Sequence, residues 1–263
     1  MNSIDSAPVT PNPDELPFVA PCREIRFDAP FDWLRRGWRD MRAAPLQSAF
    51  YGVLIAAMGA GIAYLTWKLG LMALYMGLAS GFVFVGPFLA MGLYSISHQV
   101  ESGRTPTLTY SLQEGRSHLR DTLVLGLCLL IVLLVWARAA TLMSVFRPND
   151  AFPVWRDLIP YFGIGSVVGA LFSAIIFIAT AFSLPMLLDR RTDAITAVVT
   201  SVNACLRNKP AMLLWGMLIA AAVLIGFATM FLGFIALMPL IGHATWHAYR
   251  DGIDASAWPP THA

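Results

Sequence analysis

The sequence predicts an all-α polytopic membrane protein. It has six transmembrane helices in three pseudo-repeats, each an interfacial amphipathic helix followed by a helical hairpin. Three observations predict this. Of 263 residues, 57% are hydrophobic and only 13% charged, about half the charge a soluble domain carries. The apolar residues run in long blocks free of charged side chains, and a membrane crossing needs roughly 20 such residues. Short basic segments of similar design separate the blocks. A helix buried in a soluble core would keep a polar face for water, and these blocks have none.

Taken in chain order, residues 1–27 hold Pro8, Pro11, Pro13, Pro17 and Pro21 and lack a basic start followed by an apolar run. They read as a disordered cytoplasmic tail and not as a signal peptide. In "PFDWLRRGWRDMRAAP" the apolar residues Phe31, Leu34, Trp38 and Met41 recur at spacings of three and four, with Arg35, Arg36, Arg39 and Arg42 off that line. The pattern predicts a short amphipathic helix lying in the interface, with Trp33, Trp38, Arg39 and Arg42 at the head groups. Spans follow near 46–67 and 71–96. A weaker stripe of Leu108, Leu112, Gly115 and Leu119 predicts the second surface helix, with Ser111 and Glu114 at capping-box spacing. Spans near 122–146 and 160–187 come next. Ile195, Val198, Val202 and Cys205 form the third stripe, with Thr192 or Asp193 as cap. The last apolar block, from Pro210 to Tyr249, is long enough for spans near 210–227 and 229–249 with a tight turn near Gly226 to Gly233. The membrane domain therefore covers 28–251, and 252–263 form a short cytoplasmic tail.

An internal repeat underlies this order. "RAAPLQSAFYGVLIAA" at 42–57 parallels "RNKPAMLLWGMLIAA" at 207–221, and the middle copy keeps Arg120 but lacks the proline. The second span of each pair carries a proline: Pro87, Pro185 or Pro239. Neighbouring helices can satisfy the carbonyl that such a proline frees. Gly77/Gly81 and Gly165/Gly169 have GxxxG spacing and read as packing positions.

Basic residues orient the chain. Fourteen of the eighteen Lys and Arg fall on one side: Arg23, Arg26, Arg35, Arg36, Arg39, Arg42, Arg104, Arg116, Arg120, Arg190, Arg191, Arg207, Lys209 and Arg250. The other side has Lys68, Arg138, Arg147 and Arg156. The positive-inside rule puts both termini in the cytoplasm. The net charge of +2 hides this asymmetry and gives no sign of nucleic-acid binding.

Chemistry-bearing residues are few. Cys22, Cys128 and Cys205 lack CxxC spacing, so neither a disulfide framework nor a cysteine metal site is expected. No Asp or Glu lies deep in a span, where a proton-coupled transporter usually needs one. Arg138 sits inside an apolar block and is expected to snorkel outward. His243 and His247 stand four apart, on one face of a helix. With His98, they are the metal-ligand candidates. The simpler reading makes them part of an aromatic and basic belt with Trp246, Tyr249 and Arg250, where the last helix meets head groups. No catalytic residue and no cofactor is expected.

Four stretches in order, "WLRRGWRDMRAAP", "VGPFLAMGLYSIS", "SLPMLLDRRTDAITA" and "MPLIGHATWHAYRD", resemble the bacterial integral membrane family catalogued as domain of unknown function 2189, from about Asp28 to Asp251. The resemblance implies an inner-membrane location and no catalytic residue. Some relatives carry a cytochrome c oxidase label. A haem-copper catalytic subunit needs histidines on many spans, including an adjacent pair. The histidines here are His98, His118, His243, His247 and His262, none of them adjacent. The expectation is a non-enzymatic scaffold, assembly or accessory factor that contacts the lipid bilayer and a membrane-protein partner. A lipid or small-molecule carrier is the alternative, and a haem- or metal-binding respiratory accessory protein is third.

Overall fold

The computed structural model describes residues 17–69, 72–117, 119–142 and 155–261. Side chains 72–85, 117, 155, 157, 158 and 161 stand outside that description. Gly77, Gly81, His118, Arg147 and His262 fall in these excluded sets.

The described chain is all-helical apart from two isolated bridges, Cys22 with Ile253 and Arg190 with Pro260. The order is α1 (Ala29–Ala43), α2 (Pro45–Leu69), α3 (Met72–Glu101), α4 (Leu108–Ser117), α5 (Leu119–Leu142), α6 (Trp155–Thr180), α7 (Ser183–Asp189), α8 (Ala194–Arg207), α9 (Lys209–Ala228) and α10 (Phe234–Gly252). Four segments are long and apolar enough to cross a membrane: Pro45–Leu69, Leu119–Leu142, Phe162–Asp189 and Lys209–Ala228. Only 17 to 28% of each is buried. Leu127, Ile131, Leu134, Val167, Leu171, Leu213 and Leu224 instead face outward. A water-soluble monomer would not expose so much apolar surface.

The packed core gathers at one end of the bundle. Trp33, Met91, Phe182, Trp215, Trp246 and Tyr249 are buried there in one cluster, and Trp33 meets Trp215 edge to face at 5.6 Å. Both chain ends are built into this region. The Arg23 amide donates to Gly252, the Ile25 amide to the Asn208 side chain, and the Arg191 amide to Pro259. Ala20 and Trp258 are buried. The expected tails, 1–27 and 252–263, are therefore partly structural: residues 20–26 and 252–260 are pinned by these bonds.

Glycines set the close crossings. A Cβ on Gly37 of α1 would lie 2.7 Å from the Ala244 amide nitrogen of α10, and one on Gly52 of α2 would run into the Ile235 carbonyl. A Cβ on Gly165 or Gly169 would meet nothing within 4 Å among the described residues, so the packing expected there is not made among them.

The segment expected at 160–187 is one long helix broken at Ala181–Phe182. Pro185 follows the break, and Ser201 of α8 fills it. Its hydroxyl accepts from the Phe182 amide at 3.1 Å and donates to the Ile178 carbonyl at 2.7 Å. Those are the two groups an unbroken helix would join to each other. Asp193 caps α8, accepting from the Ile195 and Thr196 amides. Burial works against its charge, but these hydrogen bonds outweigh it and hold the carboxyl below its ordinary value. Ser111 does not form the expected capping box. It lies inside α4, bonded to Tyr51, while Thr107 caps the Tyr110 amide.

Candidate functional site

The polar end of α10 holds most of the groups that could do chemistry. His243 is fully buried between α2 and α3. Ser48 Oγ lies 2.9 Å from Nε2 and Ser97 Oγ 2.8 Å from Nδ1. Ser48 donates its own proton to the Ala44 carbonyl at 2.7 Å, so it accepts from His243 Nε2–H. The remaining ring nitrogen of a neutral imidazole is an acceptor, and Ser97 O–H supplies it. Both nitrogens are thus committed to a chain of bonds that ties three helices together.

His247, one turn on, sits 2.8 Å from Asp40 of α1. Asp40 is buried on the inner face of α1 with Trp33 and Gly37. His98 stands in the last turn of α3 beside the Trp246 ring, 3.6 Å from Glu114. Glu114 is buried and accepts from Ser95. The three histidine candidates thus fall into three separate settings. Among the described residues, no group of three His, Cys, Asp or Glu side chains could hold a metal.

Three further carboxylates join elements as well. Asp251 accepts from Trp33 Nε1–H at 2.9 Å and pairs with Arg36. Glu101 accepts from Trp246 Nε1–H at 2.8 Å and from Arg250 at 3.2 Å. Asp189 accepts from the Tyr249 hydroxyl at 2.7 Å and from Arg190 at 2.9 Å.

These contacts correct part of the interface assignment. Trp33, Trp246 and Tyr249 are enclosed by protein, so they are not head-group anchors. The sequence could not separate them from true anchors, since an aromatic ring with a polar tip suits both settings. Trp38 is 43% exposed, Arg39 and Arg42 are also exposed, and the Arg42 guanidinium lies 5.1 Å from the Trp38 ring. The buried stripe of α1 is Trp33, Gly37 and Asp40. Of the predicted stripe, Phe31 and Trp38 face outward, while Leu34 packs against the core and Met41 is half-buried. The Asp40, Glu114 and Ser201 contacts had no signal in the sequence, because each depends on which helix lies opposite.

Burial pushes the Cys205 thiol up to about 12 and raises Cys22 as well. Neither is a poised nucleophile. One open groove of about 420 Å³ lies outside α1, lined by Arg26, Arg35, Arg36, Arg39, Asp32 and Asp251 among others. Arg26 and Arg35 both pair with Asp32 there.

The fold and its polar end define an all-helical integral membrane protein whose ionisable groups fasten helices to one another. A family model described as a predicted integral membrane protein, domain of unknown function 2189, matches residues 74–189. The match takes in "VGPFLAMGLYSIS" and the start of "SLPMLLDRRTDAITA"; the other two stretches lie outside it. No curated protein and no solved structure matches the chain.

Proposed function

We propose that this is a non-enzymatic scaffold, assembly or accessory factor of the bacterial inner membrane, with both termini in the cytoplasm and a cytoplasmic face that docks a membrane-protein partner. The architecture in this reading is three pseudo-repeats. α1, α4 and α8 are the surface helices, and α2–α3, α5–α6/α7 and α9–α10 are pairs that enter the membrane and return to the same side. One observation carries the function. Four carboxylates of the polar end each join two elements: Asp40 to His247, Asp251 to Trp33, Glu101 to Trp246, and Asp189 to Tyr249. Groups held this way stiffen a platform and do not favour proton relay or alternating access. Exposed Phe31, Trp38, Arg39 and Arg42 lie on the outer side of that platform.

A lipid or small-molecule carrier is the second reading, favoured by the helix break at Ala181–Phe182. The Ser201 plug in that break weighs against it. Affinity purification from gently solubilised membranes, with lipid and metal measured on the same sample, separates the readings. The scaffold reading expects one protein partner in stoichiometric amount. Stoichiometric lipid or solute without a protein partner would favour the carrier.

A further inference from the structure

We infer that the third hairpin is re-entrant: α9 and α10 enter the bilayer from the side holding both chain ends, turn back near its middle at Thr229–Gly233, and bury that apolar tip among the acyl chains of one leaflet. The inference shares membrane insertion with the proposed function and is independent of any scaffold role.

Depth is the first argument, and α2 is the ruler. Its Gly52 abuts Ile235 of α10, and a Cβ on its Gly59 would lie 2.9 Å from Phe231 in the turn. α2 then runs ten residues further, to Leu69, which is about 15 Å at 1.5 Å per residue. That last stretch ends in Tyr64, Trp67 and Lys68, with the ammonium 5.9 and 5.2 Å from the two rings. Aromatic and basic residues of this kind mark the head-group level. The turn stops about 8 to 14 Å short of it. Measured from the other end, His247 belongs to the polar layer, and only thirteen residues separate it from Phe234, about 20 Å of helix. The hydrocarbon core is about 30 Å thick. α9 has the length to cross, but Met212 and Trp215 are buried in the polar-end cluster. The thirteen residues from Gly216 to Ala228 again give about 20 Å.

The chemistry of the turn is the second argument. Hydrocarbon offers backbone groups no partner, so a turn inside it must satisfy its own. The amides of residues 229–232 and 234–237 all donate to carbonyls between Ile225 and Gly233. The Gly233 amide donates to Thr229 Oγ1 at 2.8 Å, and that hydroxyl donates back to the Ile225 carbonyl. Positive φ angles of 53° at Met230 and 70° at Phe231 reverse the chain at two apolar residues. Met230 is 77% exposed and Leu232 69%. No Asp, Glu, Lys or Arg lies between Pro210 and Tyr249. A turn facing water would show free polar side chains; this one shows Met230, Phe231 and Leu232, and the hydroxyl of its one polar residue, Thr229, is spent on the turn's own backbone.

Single-site spin labels test the inference on the full chain, with Cys22, Cys128 and Cys205 replaced and the protein reconstituted in phosphatidylcholine–phosphatidylglycerol vesicles. Labels go on Met230→Cys, Leu232→Cys, Leu69→Cys and Ser256→Cys in turn. The tip labels should be relaxed by oxygen and lose relaxation by an aqueous nickel chelate, while Leu69→Cys and Ser256→Cys keep the nickel effect. Nickel access at Met230→Cys and Leu232→Cys equal to that at Leu69→Cys would overturn the inference, since the hairpin would then cross. Low access to both reagents at the tip would overturn it too, because protein and not lipid would cover the turn.

Discussion

His243 illustrates how a residue that reads as a ligand becomes structural. Its ring is closed on both sides by serine hydroxyls, and Ser48 passes the chain on to the Ala44 carbonyl. His243→Ala orphans the Ser97 hydroxyl and opens a cavity at a three-helix junction. The hydroxyl alone costs about 1–3 kcal/mol, and the cavity adds to it. A lower midpoint of thermal unfolding in detergent, with zinc, copper and iron content unchanged, is the expected result; metal that disappears with the side chain would restore the coordination reading. Ser201 gives a second prediction at this scale. Ser201→Ala nearly keeps the volume of the plug but leaves the Phe182 amide unpaired at a helix break and the Ile178 carbonyl with only the Cys205 thiol at 3.8 Å. A loss of about 1–3 kcal/mol is expected, with faster amide exchange at Phe182 than in the parent. Exchange unchanged at Phe182 would mean that the break seals itself.

The elements meet where side chains are smallest. α10 is pressed by α1 at Gly37 and by α2 at Gly52, in both cases against backbone that cannot step aside. Gly52→Val should therefore force α2 from α10 and cost about 1–3 kcal/mol, the usual toll of overpacking. Gly61→Ala on the same helix meets nothing within 4 Å and should be neutral within about 1 kcal/mol. Equal effects in unfolding assays would mean helix propensity, and not the crossing, sets the outcome. The same contrast explains what could be read in advance. Block composition located α2, α5 and α9 to within a few residues, because apolar length alone marks a membrane helix. It placed the last helix at 229–249, whereas α10 begins at Phe234 after a five-residue turn and ends in the core as a buried aromatic and polar helix. Apolar periodicity does not tell a face turned to lipid from one turned to protein. That is why the outward Phe31 and Trp38 of α1 were legible and its buried stripe of Trp33, Gly37 and Asp40 was not. Likewise the GxxxG spacing at Gly165/Gly169 pointed to packing, while the glycines that do pack, Gly37 and Gly52, stand outside any such motif.

At the scale of the whole molecule, the segments expected on one side of the membrane are physically joined. The start of α1 follows a strand of chain bonded to Gly252 and Asn208, α3 ends at Glu101 against Trp246 and Arg250, and α7 ends at Asp189 beneath Tyr249. Residues that share direct hydrogen bonds cannot lie on opposite faces of a bilayer. The fourteen basic residues lie on this same side in the proposed topology, and the positive-inside rule makes that side the cytoplasm in the proposed orientation. Reporter fusions after Asp28, Gly103, Thr192 and Asp251 should accordingly report cytoplasm, and fusions after Lys68 and Asn149 the far side. The Asp251 result is the same whether α9–α10 crosses twice or turns back, so it tests sidedness alone. The Thr192 fusion is the most demanding, because it carries α6 and the broken α7 as its last insertion. A far-side signal there would mean that α5–α6/α7 does not return, and the polar clasp of Asp189, Tyr249 and Arg250 could not form in the membrane.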